Sequence, residues 1–234
     1  MEQHNSVTQQ VAVQLAHLRA EIAKAATDAG RAPESVRLIA VSKTVDDERV
    51  QAAYAAGQQV FGENRPQELV RKQAIWPNAD WHLIGQLQTN KVKQVVGKAT
   101  LIHSVNSEKL LREISLRAVQ AGVVQDCLLQ ANISNEDSKS GAEVNELPAL
   151  VEVASQLPGI RILGLMGMAA LSDNETLVRG QFARLRQAAE SLKPYETEHI
   201  RFFELSMGMS GDFPWAIAEG ATWVRLGSAI FGAR

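Results

Sequence analysis

Apolar and polar positions alternate along this chain in two rhythms. Val11, Leu15, Leu18, Ile22 and Ala25 recur at spacings of four and three, which draws one apolar stripe on a first helix. Gly30 and Pro33 interrupt that pattern. From there on, short apolar runs take turns with longer amphipathic ones. "VRLIAVS", "QQVFGEN", "WHLIGQL", "ATLIHSVN", "QDCLLQANI", "IRILGLMGM", "IRFFELSMG" and "ATWVRLGSAIFG" are short runs around an apolar centre, the first of them β-branched, and read as strands. The segments between them read as helices. "DDERVQAAYAAG" has acids in its first turn and Gly57 at its end, "PQELVRKQAI" opens on Pro66, and "TNKVKQVVG" runs from a Thr89 cap to Gly97. Helices follow in "SEKLLREISLRAVQAG", "EVNELPALVEVASQL" and "ETLVRGQFARLRQAAESL", with a short one in "FPWAIAEG".

That makes eight strand–helix units, less the final helix. Such alternation predicts a parallel sheet. The nearly unbroken apolar strands predict a sheet covered on both faces. Eight units in 234 residues match a single α/β domain spanning residues 1–234, a (β/α)8 TIM barrel with an extra N-terminal helix. The rival is an open doubly wound sheet, which a count of eight favours less. The N-terminal helix is expected to cover the gap left where no helix follows the eighth strand.

Composition narrows the function classes. With 45% apolar residues a sizeable core is available, and a formal charge of −2 gives no pull toward nucleic acid or an anionic membrane. No apolar run approaches the roughly 20 residues that span a bilayer, and the first residues lack the pattern of a secretory signal. The single cysteine, Cys127, sits in an apolar run and reads as a small buried hydrophobe in a reducing compartment. The expectation is a cytoplasmic monomer, because a closed barrel leaves no sheet edge to pair.

Barrels carry their chemistry at the C-terminal ends of the strands. The first strand ends in Lys43, and the second in Glu63 and Asn64. The third carries His82; the fourth offers His103, Ser104 and Asn106, and the fifth Asn132. The sixth ends in Met166, Gly167 and Met168, the seventh in Ser206, Met207 and Gly208, and the eighth carries Arg225, Gly227 and Ser228. "LSMGMSGD" and "VRLGSAIFG" suit a phosphate: glycine lets backbone N–H groups approach an anion, and serine adds donors. Alone, Lys43 reads as a solvated or ion-paired surface residue. Opposite an anion site, a partly desolvated amine reads as a nucleophile toward carbonyls. That combination fits a sugar-phosphate aldolase or a pyridoxal 5′-phosphate site. Arg225 favours the second, since it lies two residues before Gly227 and so shares its side of the strand. The histidines show no metal-ligand spacing, and the chain has no GxxxxGK[ST], GxGxxG or GxSxG motif. Lys139, in the polar loop "NEDSKSG", reads as solvated, with an anion contact as the alternative.

The motifs "LIAVSKT", "FGEN" with "QE" after it, "WHLIGQLQTNK", "ISNEDSKSG", "GLMGM", "LSMGMSGD" and "GATWVRLGSAIFGAR" run in order over residues 10–234. In these the chain resembles the pyridoxal phosphate homeostasis proteins, also called the YggS or proline synthetase co-transcribed-like family. The resemblance implies a barrel like the N-terminal domain of alanine racemase, of the fold-type III pyridoxal phosphate group. It implies that Lys43 forms the internal aldimine, that Ser206, Gly227 and Ser228 hold the phosphate, and that Arg225 faces the pyridine nitrogen. Asn64 is expected to line the pocket, and Met207 and Gly208 count with the cofactor-binding loop. Asn106 stands where many relatives have aspartate, and Phe213 and Pro214 where acidic residues are common.

Family membership implies a carrier that binds pyridoxal phosphate, limits the free aldehyde and passes the cofactor to apoenzymes, without evident catalysis. The rivals are a pyridoxal phosphate-dependent amino-acid racemase and a cofactor-free Schiff-base aldolase. Two-base racemisation needs a second acid–base group, which in alanine racemase is a tyrosine beyond the barrel. Here the tyrosines are Tyr54 and Tyr195, both in predicted helices.

Overall fold

The computed structural model describes residues 2–134 and 141–232. Lys139 and the rest of its loop lie outside the described residues. After a long helix α1 (Glu2–Asp28), strands and helices alternate as the hydrophobic pattern predicts. The strands are β1 (Arg37–Val41), β2 (Val60–Glu63), β3 (Asp80–Leu83), β4 (Leu101–Val105), β5 (Gln125–Asn132), β7 (Ile160–Gly167), β8 (Ile200–Ser206) and β9 (Trp223–Leu226), with a two-residue β6 (Ala142–Glu143) beside β5. All pairings are parallel. The order runs from β1 through β5 to β7, β8 and β9, and β9 returns to pair with β1. That return closes the sheet into an eight-stranded barrel, with β6 paired to β5 outside the closed ring.

The helices between the strands are α2 (Asp47–Ala55), α3 (Pro66–Ile75), α4 (Val92–Val95), α5 (Glu108–Ala121), α6 (Leu147–Ser155), α7 (Glu175–Leu192) and α8 (Phe213–Ala218). Local chemistry sets several of their starts. Asp46, Ser107 and Asn174 each accept a backbone N–H of the first turn, and Pro66 opens α3. The expected Thr89 cap is not formed. Thr89–Lys91 make a 3-10 turn with Gln88 before it, and α4 begins only at Val92, because nine residues leave room for barely one turn of each kind. The last strand is also shorter than the sequence suggests. It ends at Leu226, and Ser228–Phe231 form a helical turn, α9.

Helix α1 packs against α2, α8 and α9, and so covers the seam between β9 and β1 as expected. Val11, Leu15, Leu18 and Ile22 are buried along its inner stripe, while Arg19 reaches Ala56 O and Gln58. No helix among the described residues is long and apolar enough to cross a membrane. Leu15 is wholly buried, so Leu15→Ala is expected to lower the unfolding free energy by about 2–5 kcal/mol. Urea denaturation checks this; an unchanged midpoint would mean that α1 is dispensable to the barrel.

Candidate functional site

The turn after β1 carries Lys43. Val45 N–H donates to Ser42 O at 3.0 Å, closing a β-turn whose central residues are Lys43 and Thr44. Thr44 holds φ 60, a left-handed conformation that a β-branched residue keeps only at a cost of about 1–3 kcal/mol. The turn is gripped from below. Lys72 of α3 is wholly buried and donates to Ser42 O at 2.7 Å, to Glu63 Oε1 at 2.7 Å and to Val45 O at 3.3 Å. Glu63 Oε1 also accepts the Ser42 hydroxyl at 2.7 Å. Glu63 therefore faces the underside of the turn, and Lys43 is left half-buried at the rim.

Inside the barrel lies a chain of polar side chains that the strand register makes possible. His82 pairs in register with Leu101, so His103, two residues further along β4, faces the same way. The contacts reach across the barrel. His103 Nε2 meets His82 Nδ1 at 3.0 Å, and His103 Nδ1 meets the Ser206 hydroxyl at 2.9 Å. Ser206 Oγ accepts from Arg225 Nη1 at 2.8 Å, and Arg225 Nη2 donates to Gly167 O at 3.1 Å. Lower down, Arg37 stacks over the Trp223 ring and pairs with Glu204.

Arg225 can only donate, and the Ser206 hydroxyl takes that donation. Ser206 and His103 then share one hydrogen bond, and His103 and His82 another, an arrangement that two neutral rings satisfy in either tautomeric direction. Burial keeps both rings neutral. It pushes His82 down to about 3, helped by the charge of Arg37, and pushes His103 well below its ordinary value, helped by His82 and Arg225. Arg225 is lowered to about 10 by burial, with Asp212 opposing, and keeps its charge at neutral pH.

Above this chain opens a cavity of about 640 Å³. Lys43, Asn64, Arg225, Gly227 and Ser228 line it together. Gly227 lies past the end of β9, not on it, so the shared strand face that the sequence suggested does not bring it beside Arg225; the turn into α9 does. A Cβ on Gly227 would come within 3.1 Å of Val41 O, which only glycine avoids. The other three expected residues lie outside the lining. Ser206 and Met207 are fully buried, with Ser206 under Arg225. Gly208 holds φ 94, where a Cβ would lie 2.6 Å from that of Ala216, and its carbonyl accepts Arg225 N–H. The seventh loop meets the cavity one step later, through Met209, Ser210, Gly211 and Asp212. Ile84, Met166, Met168 and residues 170–173 complete the wall. The cavity therefore offers an amine, a guanidinium, a glycine–serine turn and an apolar face to one small ligand.

Sequence reading missed Lys72, the contact between His82 and His103, and the part played by Asp212. Lys72 had a signal: it falls three residues after Leu69 and four before Trp76, on the buried stripe of α3. A lysine there requires buried acceptors.

Residues 13–234 match the family described as the alanine racemase N-terminal domain. A protein of Aquifex aeolicus named pyridoxal phosphate homeostasis protein is 41% identical over 222 residues, covering 94% of this chain and 96% of its own. PipY of Synechococcus elongatus, in a structure with PLP bound, superposes with a TM-score of 0.83 at 39% identity, covering 95% of this chain and 100% of that one. Alanine racemase from Streptomyces coelicolor shares the fold alone, at 20% identity and a TM-score of 0.71, with 94% of this chain matching 60% of that one.

The neutral histidines predict a pH dependence. Unfolded histidines gain protons below about pH 6.5, whereas buried His82 stays neutral down to about 3. Its contribution to stability is complete above the unfolded value and is lost as pH falls toward 3. His82→Gln is expected to flatten the stability-against-pH curve in that window by about 1.4 kcal/mol per pH unit. Urea titrations between these limits check it, and an unchanged slope would refute the neutral, buried assignment.

Proposed function

The chain belongs to the pyridoxal phosphate homeostasis protein family, and on that premise we propose that it holds pyridoxal 5′-phosphate as a Schiff base on Lys43 and serves its storage and delivery. One observation carries the reading: Lys43 and Arg225 face a single cavity together with the Gly227–Ser228 turn. This set fits the cofactor. The bound cofactor supplies an aldehyde that a primary amine captures reversibly, and it carries a phosphate and a ring nitrogen. Lys43 is the amine. Gly227 and Ser228 offer backbone and hydroxyl donors to the phosphate, and Met207 and Gly208 shape the adjoining loop. Arg225 faces the ring nitrogen as a donor and leaves it unprotonated, which weakens the ring as an electron sink. Ser206 acts beneath the ligand by holding Arg225, and Asn64 flanks Lys43.

The neutral Ser206–His103–His82 chain supports a holding role. Its protons are committed to one another, so it offers Arg225 an acceptor and the cavity no base. We further infer a single cofactor-binding unit spanning the chain, working as a monomer in the cytoplasm, with pyridoxal phosphate-dependent apoenzymes as recipients.

Purified protein is expected to show a visible absorption band from the cofactor, and borohydride reduction is expected to leave a pyridoxyl adduct that peptide mapping finds on Lys43. Lys43→Ala is expected to lose both the band and the adduct. A wild-type protein without either would refute the reading, and robust turnover of an amino acid would replace it with racemisation.

A further inference from the structure

Lys72 and Glu63 form a buried ion pair that lies outside the cavity lining. A buried pair seldom improves stability over well-packed apolar residues, because both charges lose their water. Its bonds therefore have to be asked what they hold. Lys72 has three N–H donors, and all three end on the underside of the Lys43 turn or on Glu63. Glu63 in turn binds Ser42. Ser42 is thus gripped by both its hydroxyl and its carbonyl, while Val45 is held at the other end. Between these two anchors stand only Lys43 and Thr44, and Thr44 keeps its left-handed φ of 60. A backbone in that conformation persists only where its surroundings over-determine it.

We propose that Lys72 and Glu63 are positioning residues for Lys43: they lock the Ser42–Val45 turn so that the Lys43 amine stands at the cavity edge before any ligand arrives. This rests on reading Lys43 as the amine that holds the cofactor. An amine on a fixed backbone searches only its own side-chain rotamers, so less freedom is lost when it binds. The pair itself takes no part in the bond to the ligand.

The double variant Glu63→Gln/Lys72→Met tests this without leaving a lone buried charge. In the cofactor-free protein, exchange of the Val45 amide, which closes the turn on Ser42 O, is expected to quicken about tenfold, while the rest of the barrel keeps its protection. In the same variant, pyridoxal 5′-phosphate is expected to dissociate about tenfold faster and to give less borohydride-trapped Lys43. Wild-type exchange at the turn would overturn the proposal. Faster exchange with unchanged dissociation and trapping would also overturn it, leaving the pair a merely structural device. If the double variant does not fold, Ser42→Ala carries the same readouts with changes of about two- to threefold, because it removes one hydrogen bond of the grip. Absence of an adduct on Lys43 in the wild type would instead refute the underlying reading; the exchange measurement contains no cofactor and keeps the two failures apart.

Discussion

A guanidinium inside a barrel has to be satisfied without water, and much of this interior is arranged around that requirement. Arg225 is almost wholly buried, so each of its N–H groups needs an oxygen within reach or costs its desolvation. Gly167 O on β7 and the Ser206 hydroxyl on β8 meet two of those needs. Neither is charged. The charge of Arg225 is thus kept rather than cancelled, and the hydroxyl that accepts from it also joins His103, which joins His82. Four side chains on four strands form one hydrogen-bonded chain, and burial keeps its two histidines neutral.

The same constraint divides the barrel into levels. At the N-terminal end Arg37 stacks on Trp223 and pairs with Glu204, which also accepts the Thr222 hydroxyl. Leu101, Leu128 and Met166 form a small apolar cluster of their own. At the C-terminal end the Lys72–Glu63 pair holds a strained turn in place. Removing one partner of such a pair commonly costs about 3–5 kcal/mol, since the other is left charged and dry. The polar interior therefore specifies geometry at the rim, while the larger apolar core outside the strands, with α1 closing the last seam, carries the fold.

Much of this fold was legible because its signal is local. Strand runs, caps and helix stripes are written in consecutive residues, and eight of them in sequence predict closure. Boundaries failed where local signals competed. Thr89 is a good cap, but the loop before α4 is too short to use it. "RLGSAIFG" is apolar enough for a strand, yet the chain turns at Gly227. The site was legible only in part. Lys43 and Arg225 stand at strand ends, and their positions follow from register. Lys72 touches residues 30 and 27 positions away, and His103 meets a serine 103 positions away. Such contacts depend on how helices and strands settle against each other, and one sequence holds no local record of that.

The two sides of the cavity differ in how they are built. One side is set by hydrogen bonds: the Lys43 turn, Arg225, and the Gly208 carbonyl tied to the Arg225 N–H. The other is built from Met166, Met168 and Met209 with the segment 170–173, where the Leu171 side chain is fully exposed. Methionine fills space without fixing it, because its side chain is unbranched and adaptable. A ligand held this way meets rigid polar groups at its reactive and charged atoms and a yielding apolar wall elsewhere. Anchors fixed before binding lower the entropy lost when a ligand is held.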